Sequence, residues 1–191
     1  FFGPPAANRK YEVEVQVKGK GFSPEKYSRF DFWLTDRNSD FESTLSSGTT
    51  DENGNATVAY TTDINYQNRG VLQADFFSTV FDETGRPVNR KNSIDIFTQD
   101  VFYGLGNDGY YYYGLNQKIA FPIIALNKDE QVLSNVQAHI QVIKHDYKTV
   151  LSRYNEYFRY ESQRDDKTLV DQNVLINGEQ TVFSYVPRTP G

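Results

Sequence analysis

Tyr11, Val13, Val15 and Val17 alternate with Glu12, Glu14 and Gln16. An apolar residue at every second position puts all of them on one face only if the backbone is extended. A helix would scatter the same residues around its axis. This segment is therefore a β-strand with one buried face. Phe and Tyr number fourteen each, a composition that favours strands. No stretch carries three turns of a 3.6-residue apolar stripe; the pattern is least decided over residues 146–157.

The rest of the chain repeats the theme. Gly19, Gly21 and Pro24 break the first strand, and Phe30, Phe32 and Leu34 alternate in a second. A polar loop runs from Asp36 to Asp40, and Glu42 to Leu45 forms a short strand. Thr50-Asp51-Glu52-Asn53-Gly54 is a turn, because Asn and Gly tolerate the positive φ that tight turns require. Residues 56–61 alternate again and predict a strand. Val71 to Phe77 predicts another, extended to Phe81 after a bulge. Glu83 to Pro87 is a turn, and Val88 to Phe97 returns. Six or seven strands over residues 1–98 suit a small antiparallel β-sandwich.

Residues 99–191 predict a second unit of the same class. Val101 to Leu105, Tyr110 to Leu115, Ile119 to Leu126 and Val136 to Ile143 read as strands. More strand lies between Tyr147 and Ser162. Arg164-Asp165-Asp166-Lys167 reads as a solvated hairpin tip. Lys167 to Ile176 and Gln180 to Val186 flank Asn177-Gly178, a two-residue hairpin signal. This unit is a strand short of a full sandwich. It is expected to be cut short or completed by residues outside the sequence.

Charge and cysteine content exclude several functions. The net charge is −5, and residues 1–98 and 99–191 carry 11 basic against 14 acidic and 9 against 11 side chains. Neither half is basic, which argues against nucleic acid. The apolar runs are too short to span a membrane. Without Cys there is no disulfide, no thiolate metal site and no cysteine nucleophile. The first residues lack a signal-peptide pattern and the chain has no Met. It is expected to be a piece of a longer polypeptide, with any targeting signal elsewhere.

Five constellations suggest chemistry, and each has a plainer reading. Asn177-Gly178-Glu179-Gln180 differs from the thioester-forming Cys-Gly-Glu-Gln by the residue that would supply the sulfur. Asp51, Asn53 and Asn55 begin like a calcium loop but lack the Gly and the bidentate Glu that follow. Asn107-Asp108-Gly109 is likewise a turn. His139, His145, Asp146 and Ser152 invite a hydrolase, yet no nucleophile elbow is present, and two His without Cys make a poor zinc site. Tyr110 to Tyr113 offer stacking surfaces, or core and interface packing. The residues therefore predict no catalytic, cofactor-binding or metal site.

Three phrases carry a family resemblance. Phe2-Gly3-Pro4-Pro5-Ala6-Ala7-Asn8-Arg9 leads into the Tyr11–Val17 strand. Thr50 to Gly54 follows a Thr-Asp-x-x-Gly pattern before the 56–61 segment. Gly109 to Leu126 and Tyr154-Asn155-Glu156-Tyr157-Phe158-Arg159-Tyr160-Glu161 follow in the second unit. In this order the chain resembles the central macroglobulin-like domains, about the fifth and sixth, of the bacterial α2-macroglobulin family.

The resemblance implies two consecutive macroglobulin-like, fibronectin/immunoglobulin-like antiparallel sandwiches, 1–98 and 99–191. It implies an exported, lipid-anchored parent in the periplasm or cell envelope that traps endopeptidases after they cut a bait region. These residues would be non-catalytic modules whose partners are neighbouring domains of the same chain. Target endopeptidases would meet other parts of the parent. No nucleic acid, membrane contact or cofactor is implied. The competing reading is a surface adhesin or carbohydrate-binding module pair using the Tyr110–Tyr113 face.

Overall fold

The computed structural model of the chain describes residues 5–34, 41–106, 109–110, 112–155 and 157–190. The chain is all-β with antiparallel sheets. It divides into two compact units, one of residues 1–26 and 32–102, the other of 27–31 and 103–191.

In the first unit, β1 (Lys10–Lys20), β3 (Thr44–Thr49), β4 (Val71–Phe81) and β5 (Pro87–Phe97) form one sheet in the order β3-β1-β4-β5. The alternation of β1 is realised as read. Val15 and Val17 face Phe76 and Ala74 of β4 and join Leu72 in a buried cluster. Burying each large aliphatic side chain contributes roughly 1.5–3 kcal/mol. The second layer over this face is irregular: Phe41, Tyr60 and Tyr66 pack on it from outside the strands. Phe41 meets Tyr66 edge-on, and Tyr60 meets Phe76 in the same way.

Residues 56–61 are thus not a strand. Val58 and Tyr60 are partly buried while Thr57 and Ala59 are exposed, so the inward alternation survives without a ladder. β4 runs unbroken to Phe81 in register with both neighbours, without the expected bulge. Its continuity follows from having a partner on each side.

Three turns share one construction. Asp51 Oδ1 accepts from the N–H groups of Asn53 and Asn55, and Gly54 N–H donates to Asp51 O. Asp82 repeats this with Thr84, Arg86 and Gly85. Asn127 does so with Asp129, Gln131 and Glu130. The fourth residue of each is left-handed: Gly54 at φ 79°, Gly85 at 82° and Glu130 at 60°. This is a type I turn closed by a left-handed residue.

In the second unit, β2 (Phe30–Asp31), β6 (Phe102–Gly106), β7 (Ile119–Leu126) and β10 (Thr181–Tyr185) form a sheet in the order β10-β7-β6-β2. β8 (Ser134–Tyr154) and β9 (Tyr157–Asn177) pair with each other as a two-stranded ribbon. Ile124, Ala125, Leu126 and Ile176 are fully buried. Tyr27, also buried, donates its hydroxyl to Glu179 at 2.9 Å.

Several expectations for this part of the chain need correction. Phe32 and Leu34 lie outside β2, which is two residues long. Tyr110 and Tyr112 to Leu115 are not in a strand; Tyr113 packs edge-on to Phe121 instead. The Asn177-Gly178 turn does not join paired strands. A short 3-10 turn, Gly178–Gln180, redirects the chain so that β10 pairs with β7. Asn177 N–H closes that turn on Thr181 Oγ1 at 2.8 Å. Arg164 to Lys167 lie mid-strand in β9 rather than at a tip. A ribbon solvated on both faces accepts polar residues along its length, and Asp165 and Asp166 pair across it with Lys148 and His145. The Asp36–Asp40 loop, Phe1 to Pro4, Asn107, Asp108 and Tyr111 lie outside the described residues.

Candidate interaction surface

The turn at Thr50 is tied to the lead-in before β1. Thr50 Oγ1 donates to Ala6 O at 2.5 Å and accepts from Arg9 N–H at 2.9 Å. Thr50 N–H in turn donates to Arg9 O at 2.9 Å. Two phrases more than forty residues apart are therefore one structural feature.

The calcium-like spacing is used up by this geometry. The carboxyl of Asp51 is held below its usual range chiefly by the Asn55 backbone N–H, and it points into its own turn. No group of three His, Asp or Glu residues among those described is placed to hold a metal ion.

The histidine constellation does not converge. His139 Nε2 lies 2.6 Å from Asp171, and His145 Nδ1 lies 2.7 Å from Asp166. Both are cross-strand pairs at the ribbon surface. Asp171 is shifted down chiefly by the Gln141 amide and then by His139; Asp166 is shifted down chiefly by His145. Asp146 instead pairs with Lys144 at 2.8 Å. Ser152 hydrogen-bonds Glu161, which lowers that carboxyl. His139, His145, Asp146 and Ser152 thus belong to four separate pairs. Glu179, from the thioester-like phrase, is engaged by Tyr27. Tyr110 and Tyr113 tilt against each other at 6.5 Å between centroids, while Tyr112 projects into solvent. The three described tyrosines form no common flat face.

What the sequence did not announce is a groove in the second unit, about 690 Å³ in volume. Its floor is apolar and spans three strands: Tyr103 and Leu105 of β6, Phe121 and Ile123 of β7, and Phe183 and Tyr185 of β10. Its wall is the first part of β8, where every residue from Gln137 to Ile143 borders it. In the sequence these residues read as ordinary core. The one available signal was that Val136 to Ile143 contains no Asp, Glu, Lys or Arg.

Residues 1–97 match the family model of the bacterial alpha-2-macroglobulin MG5 domain. The chain belongs to the bacterial alpha-2-macroglobulin family. Solved alpha-2-macroglobulins share its fold. The native conformation of E. coli alpha-2-macroglobulin is similar at a TM-score of 0.61 and 16% identity, over 97% of this chain and 13% of that one. Salmonella alpha-2-macroglobulin reacted with methylamine gives 0.61 and 18% over the same shares. Trypsin-activated alpha-2-macroglobulin from E. coli gives 0.50 and 15%, over 98% of this chain and 15% of that one. This alpha-2-macroglobulin-family chain therefore spans between 13% and 15% of the length of these solved chains. No curated protein matches it significantly. Among its described residues no helix is long and apolar enough to cross a membrane.

Proposed function

We propose that the chain is a non-catalytic structural part of a broad-spectrum endopeptidase inhibitor that traps proteases after bait cleavage. The observation that carries this reading is the MG5 family match over residues 1–97. The pairing of each candidate catalytic side chain with its own structural partner supports it. Stiff sheets joined by self-closed turns suit a part that moves as a body rather than one that reacts. Its partners are neighbouring macroglobulin-like domains of the same polypeptide, and target endopeptidases engage other parts of that polypeptide. The parent is exported and lipid-anchored in the periplasm or cell envelope.

The test compares two protease substrates of different size. The parent protein, mixed with trypsin, is expected to slow hydrolysis of a large protein substrate while a small peptide substrate is still cut. Residues 1–191 alone are expected to change neither rate. Unchanged hydrolysis of the large substrate with the parent would overturn the reading, as would inhibition or proteolysis by residues 1–191 alone.

A further inference from the structure

The far half of the β8–β9 ribbon has two unlike faces. Residues directly opposite in an antiparallel ladder point to the same side, and successive pairs alternate between sides. One face holds Ser152↔Arg159, Val150↔Glu161, Lys148↔Gln163 and Asp146↔Asp165. Every pair on it includes a polar or charged side chain, and these engage one another: Arg159 and Ser152 with Glu161, Lys148 with Asp165.

The other face holds Arg153↔Phe158, Leu151↔Tyr160, Thr149↔Ser162 and Tyr147↔Arg164. On it Tyr147, Leu151, Phe158 and Tyr160 are 66%, 57%, 66% and 78% exposed. A covered aromatic side chain buries about 150–250 Å², so the three rings and Leu151 leave roughly 500 Å² of apolar surface open on each chain. A patch of that size on a soluble protein commonly has a function.

The order of residues along this face is self-complementary. A second ribbon can lie on the first, running in the opposite direction, about a twofold axis between the Leu151↔Tyr160 and Thr149↔Ser162 pairs. That axis lies across the ribbon, so β8 covers β8 and β9 covers β9. Leu151 of each copy then stands over Thr149 of the other, and Tyr160 over Ser162, large on small. Tyr147 meets Arg153 and Phe158 meets Arg164, a ring against a guanidinium at both ends. The ribbon already makes this contact within one copy, with Arg159 lying 4.6 Å over the Tyr154 ring. No two charges of one sign stand directly opposite.

We propose that two copies of the chain pair face to face through this stripe as an antiparallel, twofold-symmetric dimer. With Thr149, Ser162 and the arginine stems included, the pair buries about 1,200 Å² in total, the lower limit of specific interfaces. The dimer is therefore weak, with a dissociation constant on the order of 10 μM. An anionic membrane matches the ribbon less well. Residues 143–168 carry six basic and five acidic side chains, whereas attachment to anionic lipid needs a basic surplus. The pairing does not depend on the inhibitor reading.

Sedimentation velocity on residues 1–191 and on the parent, between about 0.5 and 100 μM, tests this. Both are expected to pass from monomer to dimer across that range. Tyr160→Asp sets a charge against the facing copy and should keep both monomeric throughout. At an exposed position it should shift the Tm of residues 1–191 by no more than about 2 °C. Cross-linking gives the register. The chain has no cysteine, so Tyr147→Cys and Arg153→Cys each introduce one. Packed sheets lie about 10 Å apart, and a thiol-reactive linker of that length should join the two variants in a mixture. In either variant alone the two cysteines stand three pairs apart along the ribbon, about 20 Å, and joining should be at least about tenfold slower. A monomer at the highest concentration in either protein overturns the proposal, and so does a dimer that Tyr160→Asp leaves intact. Cross-linking of each variant alone as fast as the mixture places the ribbons in another register and also overturns it. Binding of monomers to vesicles of one-third phosphatidylglycerol, abolished by Tyr160→Asp, makes a lipid surface the occupant and overturns it too.

Discussion

The Lys18 ammonium donates to the Asp75 carboxylate at 2.9 Å, across the β1–β4 ladder. Lys91 reaches the same oxygen from β5 at 3.0 Å, and Ser93 donates to the other at 2.6 Å. Asp75 is thereby covered on the outer face of the first sheet, with its side chain 6% exposed. Its carboxyl is held well below the usual range, first by Ser93 and then by the two lysines.

That depression sets an acid limit on the first unit. A carboxyl whose folded-state pKa lies below its unfolded value of about 3.9 stabilises the fold fully above that pH. The contribution is lost as pH falls through the folded value. Asp75→Asn is expected to lower the Tm by several degrees at pH 7. The gap from the parent sequence should narrow steadily below about pH 4. Thermal unfolding followed by circular dichroism between pH 7 and pH 2.5 checks this; a gap independent of pH would contradict it.

The three turns of shared construction predict a graded series. Gly85→Ala places a Cβ at φ 82° in open space, so it should cost about 1–2 kcal/mol of backbone strain. Gly54→Ala should cost more, since its Cβ would sit 2.8 Å from Ala6 N. Glu130→Gly relieves the left-handed strain and should gain up to about 1 kcal/mol. Urea denaturation of the three variants gives the order directly.

Thr50→Val keeps shape and removes the hydroxyl. It leaves Arg9 N–H and Ala6 O without that partner. The expected loss is about 1–3 kcal/mol. Exchange of the Arg9 amide should accelerate with it, a readout that a packing defect elsewhere would leave unchanged.

Tyr27→Phe removes the hydroxyl that binds Glu179. Hydrogen bonds to charged groups contribute about 1.5–3 kcal/mol, and a loss in that range is expected in urea denaturation. Glu179→Gln retains an acceptor and should lose less. An equal loss in both would show that charge rather than the bond is what matters.

The strands with partners on both sides were the most legible. β1, β4 and β7 follow from alternation or apolar runs bounded by turn residues, because pairing and burial both enforce those patterns. The 56–61 segment has the same alternation and no ladder: sequence reports which side chains turn inward, not whether the backbone is paired. The ribbon misled in the opposite sense. Arg164 to Lys167 look like a tip because polar runs usually cover turns, but a ribbon wetted on both faces has no apolar period to reveal it. Asn177-Gly178 has strong turn chemistry, yet Phe183 and its neighbours find β7 rather than β9. The groove was illegible for a further reason. Its residues are apolar like any core, and openness is a property of what is absent from above them.

The nesting of the ribbon has a consequence for how the chain folds. Every pair from Tyr154↔Tyr157 out to Ser134↔Asn177 is centred on one turn. Loop closure is met once, at the tip, and each later pair adds to an existing end. By contrast, pairing Lys20 with Val71 must first close a long loop. Hairpins form in about 1–10 μs. In a series of conservative substitutions, those in the ribbon should slow refolding, while those along β1 should mainly speed unfolding.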